Sequence, residues 1–548
     1  MLAGALKSQN DHAGALAEDQ AALTIAAQLA EKHPANADWQ FHLAVHHNDV
    51  GVELADQGDL PAALKEYRAG LAGFAELTAK DSGNAIWQGE LAACHINTAE
   101  TLSKQGDSAG ALDKFRGAAD ILTELVKRDP SNTHWRERLA EGHHSIGEIL
   151  QGKGDLAGAV KEYQAELAVR TELAAKDPGN VDWQHALQFA HNRLGGILEN
   201  QGDFAGALVE FRAALDSGEE LTKKDATNLF WQRELSVCHG SVGDALKDQG
   251  DLTGAVKEYQ ADVAIMSAVA EKDLANDGWQ HDLAEAHNGL GNVLVAQGGL
   301  ADALKEYQAS LAITDQLAGT DPANISSFAH RLVGDALRQQ SKFAEALKEF
   351  QAELASAENV AAEDPSNTDR QQELALSHNR IGLMLREQDD LSGALTEFRA
   401  NLEIDTSLAA KKPDDKDSQL NLAISHQLVG EVLQSQHDLA GAAKEFRAEL
   451  AVRTKLAANE PASDNRQLDL SVSHNRIGRV LQEQGDRMGA LEEFRTELAI
   501  SAGLASKDPS NSSWQRKVAI DDGWIGGVLQ EQGDLRGALK EYQAELES

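Results

Sequence analysis

WQGELAACHINTAETLSKQ, residues 87–105, is the stretch whose reading decides the fold. Its large residues stand at offsets 0, 4, 8 and 15: Trp87, Leu91, His95 and Leu102, with an aliphatic residue usual at offset 11 in equivalent stretches. At about 100° per residue these offsets fall on one narrow stripe, which predicts an amphipathic helix. Working outward, tryptophan recurs at 39, 87, 135, 183, 231 and 279, each 48 residues after the last. Histidine follows eight residues later at 47, 95, 143, 191, 239 and 287, continues at 330, 378, 426 and 474, and gives way to Asp522. A leucine column runs through every unit from Leu54 to Leu529. A fixed period of this kind marks a repeat array and overrides any domain count based on the 548-residue length.

After each such helix comes a QGDL-type turn, as at 57–60, 249–252 and 532–535. Its glycine permits the left-handed conformation that ends one helix, and its aspartate can cap the next. The second helix reads LAGAVKEYQAELAVRTELAAKD at 156–177. Each complete unit has an alanine there with an aromatic four residues on, from Ala63 and Tyr67 to Ala538 and Tyr542. A DPSN-type loop closes the unit and holds eight of the nine prolines, while Pro61 stands in a helical first turn, where its missing N–H costs nothing. One pair of antiparallel helices cannot bury its own apolar stripes, so consecutive pairs must stack. The expectation is an all-α solenoid, a superhelix of about eleven helix pairs.

The period breaks once. His287 and His330 are 43 residues apart, and aligning DPANISSFAHRLVG (321–334) with DPSNTDRQQELALSHNRIG (364–382) places a five-residue deletion before His330. Beyond it the tryptophan column becomes Arg370, Ser418 and Arg466, returning at Trp514. These features divide the chain into a partial N-terminal repeat (1–38), a first sub-array (39–324) and a second (325–548), with a bend expected at 321–330. At the start, Leu6 matches the leucine column and Asn10-Asp11 the turn, while the final KEYQAELES falls within a second helix. Neither end has a polar cap of the kind solenoids use, so the chain reads as part of a longer protein or an array that stacks end to end.

Composition narrows the function. With 88 acidic against 50 basic residues, the net charge of −38 disfavours nucleic acid and anionic lipid and favours basic partner segments. No apolar run approaches the roughly 20 residues that span a bilayer, and the opening MLAGALKSQN is not a secretory signal. Cys94 and Cys238, three periods apart, read as buried thiols in a cytoplasmic chain rather than a disulfide or metal site. Glycine-rich phosphate loops and nucleophile elbows are absent, so neither an enzyme nor a cofactor is expected. Column histidines stand a repeat apart, roughly 10 Å by helix packing distances, too far to share one ion. The nearest approach to a metal site is His42 with His46 one turn on, beside His47. The column is read instead as partly buried, hydrogen-bonded side chains, whose titration would make stability pH-dependent with a sign set by burial against nearby glutamates.

The segment NRIGLMLREQDDLSGALTEF (379–398) resembles the tetratricopeptide helix pair: Ile381 and Gly382 match the family's Leu-Gly pair, Ala394 its second-helix alanine, and Phe398 its second-helix aromatic. His378 stands where the family usually has tryptophan, and the 48-residue unit exceeds the usual 34. In length it is similar to the repeats of kinesin light chains and to arrays in bacterial multidomain signalling and defence proteins. The resemblance implies a scaffold that binds peptides or proteins in a groove lined by first helices. Alternatives are the sensor or oligomerisation arm of a bacterial effector, whose effector domain is not visible in this chain, and a histidine-based pH- or metal-responsive protein. Self-association is a further expectation. Asparagine follows the column histidine at 48, 192, 288, 379 and 475, opposite the tryptophan, and arginine follows it in three units. Asparagine can bond an extended peptide backbone and arginine a carboxylate, making Asn192/Arg193, Asn379/Arg380 and Asn475/Arg476 the candidate ligand-facing pairs. The competing reading is a solvated face with local arginine–glutamate pairing.

Overall fold

In the computed structural model of the chain, which describes residues 12–317 and 324–547, every element is a helix. Helix α1 (His12–Lys32) precedes eleven pairs, from α2 (Ala37–Asp56) with α3 (Leu60–Lys80) to α22 (Ser512–Glu531) with α23 (Leu535–Glu547). We call the first helix of a pair A and the second B. The stacked helix pairs are the all-α repeat array expected from the sequence. Two compact units divide the chain, one ending at Leu274 and one beginning at Ala275, and within each a B helix packs on its own A helix and on the next. The deletion lies inside the second unit. Residues 321–323 of the expected bend, like Leu6 and Asn10-Asp11, lie outside the described residues; from Asn324 a helix begins. No described helix is long and apolar enough to cross a membrane.

The loops fix where helices start. Asn84, last residue of its loop, accepts hydrogen bonds from the Ile86 and Trp87 amides at 3.1 and 3.2 Å, satisfying donors the helix leaves unpaired. Asn132, Asn180, Asn228 and Asn367 do the same for their A helices, a contribution of about 1 kcal/mol each. The aspartate of the inner turn caps the B helix, as Asp107 does by accepting from the Gly110 amide at 2.9 Å.

What holds A to B is a close contact between a glycine and a ring. A Cβ placed on Gly382 would stand 2.5 Å from Phe398 Cε1, so the ring lies directly on the A-helix backbone. Gly51, Gly147, Gly291 and Gly478 receive Tyr67, Tyr163, Tyr307 and Phe494 in the same way. Where Ala99 replaces the glycine, it is buried in one cluster with Phe115. The rings of Phe398, Phe446 and Phe494 are fully buried, each stabilising its unit by roughly 1.5–3 kcal/mol. Cys94 and Cys238 are buried, unbridged thiols.

The inner turn needs a left-handed residue, and glycine supplies it at Gly58, Gly106 and Gly485 with φ of 85°, 82° and 83°. Ser341, Asp389 and His437 hold this position at φ 60–62° with a side chain, at a cost of about 1 kcal/mol each. Ser341→Gly, Asp389→Gly and His437→Gly are therefore expected to raise the urea midpoint, nearly additively since they lie in different pairs. Three unchanged or lowered midpoints would show that the turn is not strained.

Candidate functional site

A partly exposed ridge of the A helices lies at the position two residues before the column histidine, with Val45 and Ile424 also packed against the core. It is apolar at Val45, Phe189, Val237, Phe328, Leu376, Ile424, Val472 and Ile520. Val237, Phe328 and Ile520 are 46, 40 and 44% exposed, large for side chains that could have been polar without harm to the core. Phe328, Leu376, Ile424, Val472 and Ile520 come from five consecutive pairs of the second unit.

Beside this ridge, the candidate arginines turn inward. Arg193 Nη1 donates to Glu166 Oε1 at 3.0 Å, Arg380 donates to Glu353, and Arg476 Nη1 donates to Glu449 Oε1 at 2.8 Å. Each glutamate lies on the preceding B helix, 27 residues earlier, and is fully buried. Arginine occupies this column only where that glutamate is present, so the pairs tie successive helix pairs together. One face of each guanidinium stays reachable, the side chains being 33, 21 and 21% exposed. The asparagines are half-buried: Asn192 donates to Cys238 Sγ at 3.5 Å and Asn475 to Glu497 Oε2 at 2.9 Å. The three pairs sit in separate repeats.

Sequence reasoning passed over the buried glutamates, although the signal was present. Ala159, Tyr163 and Glu166 fall at i, i+4 and i+7 of one helix, so the glutamate belongs to the buried stripe. Their environments differ. Burial pushes the Glu166 carboxyl up, but hydrogen bonds from His144 and Arg170 and the charges of Arg170 and Arg193 outweigh it and hold it below the ordinary value. At Glu353 burial outweighs Arg380 and Arg331, and the carboxyl is raised. Glu497 is buried beside Asp521; burial and that second carboxylate push it up to about 7 against the opposing Lys517, which bonds both.

The histidine column is hydrogen-bonded throughout most of the array. His47, His143, His191, His239, His287, His330, His378 and His426 place Nδ1 2.7 Å from a B-helix glutamate 19 residues on, the residue just before the aromatic, and His474 does so at 2.6 Å. His95 is the exception: Lys114 stands in place of the glutamate, and burial followed by that lysine lowers the imidazole's pKa. At His42 and His46, the nearest approach to a metal site in the sequence, His46 Nδ1 lies 3.7 Å from Asp49. Among the described residues, the one group of three convergent metal-ligand side chains is His281, Asp282 and Glu285, on the helix surface elsewhere.

No protein-family model and no curated protein matches the chain. Among solved structures it is similar to BtubC (BKLC) from P. vanneervenii, with 18% identity over 46% of this chain and 92% of that one and a TM-score of 0.38. It is similar to the apo form of RapI, with 15% identity over 75% and 97% and a TM-score of 0.44. MamA matches with 20% identity over 40% and 97% and a TM-score of 0.26.

Two outcomes follow from the buried charges. Arg380→Ala leaves Glu353 with only the Ser377 hydroxyl and is expected to cost roughly 2–4 kcal/mol, while Arg193→Ala leaves Glu166 its Arg170 partner and costs about 1 kcal/mol. Adding Glu353→Gln to Arg380→Ala should restore most of the loss; equal costs for both arginines, or no restoration, would contradict this account. For Glu497 the folded value lies above the unfolded one, so the folded state binds the extra proton and stability falls as pH rises from about 4.5 to 7. Glu497→Gln, which imitates the protonated carboxyl, should gain stability relative to wild type across that window, measured by urea unfolding. Parallel pH curves for the two proteins would exclude a raised Glu497.

Proposed function

We propose that the chain is a protein-interaction scaffold whose A-helix surface receives peptide or protein partners. The observation that carries this is the apolar A-helix column, partly exposed in eight pairs and 46, 40 and 44% exposed at Val237, Phe328 and Ile520. Asn192/Arg193, Asn379/Arg380 and Asn475/Arg476 flank the ridge and would offer their remaining donors to a partner's backbone and carboxylates. The surplus of acidic residues favours basic segments in the partner by electrostatic steering.

The test is crosslinking capture from lysate of the source cell, followed by affinity measurement with the recovered partner. Leu376→Asp with Val472→Asp should weaken binding at least tenfold with helix content unchanged, whereas Glu403→Lys on an outer B-helix face should not. Arg193→Lys, Arg380→Lys and Arg476→Lys together keep a cation on each buried glutamate but remove the planar fork. Loss of affinity in that triple variant supports a ligand-facing role; unchanged affinity confines the arginines to holding the stack. A partner that binds the ridge variants as tightly as wild type would end the proposal.

A further inference from the structure

At Trp135 and Trp183 the chain's own indole reaches into the groove between successive A helices. Trp183 Nε1 donates to Glu137 on the preceding A helix at 2.5 Å, and Trp135 Nε1 lies 3.3 Å from where a Cβ on Gly89 would stand. Glu137 and Gly89 occupy the same place, in the first turn of the preceding A helix, so the indole reaches across the groove to that turn. A cavity of about 240 Å³ remains beside Trp135, over Ala93 and Leu122.

At the groove between α14 (Asn324–Gln339) and α16 (Thr368–Glu387) the sequence differs on both helices. Helix α14 has 16 residues instead of the 20 of α16, and it begins six residues before its column histidine rather than ten, one turn late. The facing tryptophan position holds Arg370, whose Nη1 turns away to the Val360 carbonyl at 3.0 Å and to Glu363 at 3.2 Å. The cavity at this groove is about 380 Å³, within the range of small-ligand sites of roughly 300–1,000 Å³. Ala357 and Val360 line it from the B helix, Phe328 and Arg331 from α14, and Arg370 and Glu373 from α16. The Arg331 guanidinium lies 4.6 Å from the Phe328 ring centroid, and 3.7 Å from Glu373.

We propose that this cavity is a seat for a tryptophan side chain supplied by a partner polypeptide. The intact repeats are its mould: the same position between A helices accepts an indole there, with a carboxylate as acceptor for its N–H. Here Phe328 offers an aromatic wall, Arg331 a cation for the ring face, and Glu373 or Asp369 the acceptor that Glu137 provides for Trp183. The site deepens the scaffold reading by naming one anchor that the partner must carry.

The probe is N-acetyl-5-fluorotryptophan amide, followed by fluorine NMR on the full chain. Saturable binding is expected, not displaced by N-acetyl-leucine amide. Arg370→Trp restores the residue of the intact repeats and should fill the seat, weakening probe binding at least tenfold while raising thermal stability. Ala357→Phe, which fills the floor from the B helix, should weaken it likewise, and Ser418→Trp, the same column one repeat later, should leave it unchanged. Absence of saturable binding to wild type, undiminished binding to both filled variants, or equal loss in Ser418→Trp would overturn the proposal. If the probe fails while the ridge variants still release their partner, the seat is wrong and the scaffold reading stands.

Discussion

Everything regular in this protein follows from how closely one A helix approaches its B helix. The ring of Phe398 rests on the backbone at Gly382, and equivalent rings do so along the array. With the two backbones held at that distance, side chains at matching heights are forced into contact. The column histidine therefore meets the glutamate that precedes the ring, and the alanine at Ala394 sinks to full burial. A glycine in mid-helix costs about 1 kcal/mol relative to alanine, and the ring burial it permits more than offsets that.

Between pairs the chemistry is less uniform, and that is where the repeats acquire individual character. The B-helix position three residues after the aromatic is Gly70, Ala118 or Ala214 in some pairs and Glu166, Glu353, Glu449 or Glu497 in others, buried in each of these. A buried carboxylate is expensive unless paired, so each glutamate brings its own cation: Arg193, Arg380, Arg476 or Lys517. Such pairs add little net stability over an apolar contact, but they penalise any other register of stacking, because a slipped helix would strand the charge. The same inward turn gives the arginines a structural task beside any contact they make with a partner.

The repeat, the helix pair, the turn glycines and the aspartate caps were legible in the residues because each depends on a short local pattern: Trp87 to Leu102 for the stripe, Gly106-Asp107 for the turn and cap. The fate of Arg193, Arg380 and Arg476 was not legible in the same way. Helical angle places the asparagines just before them opposite the tryptophan, and on an isolated helix that would be a free face; only the preceding B helix, 27 residues from each arginine, shows that a buried carboxylate waits there. His95 illustrates the middle case, since the spacing of 19 residues to Lys114 was visible but its meaning required knowing which B-helix position faces the column.

By itself, then, the sequence determined the fold class and the period, because stripes, turns and caps are encoded within one helix pair and repeated until noise averages out. Tertiary structure alone decided which polar groups are buried with partners and which reach solvent, since that depends on a neighbour contributed by another repeat. It also decided what the five-residue deletion means. In the residues it is an irregularity of register; in three dimensions α14 has 16 residues and faces Arg370 across a cavity of about 380 Å³, at a position that Trp135 and Trp183 take in their own repeats.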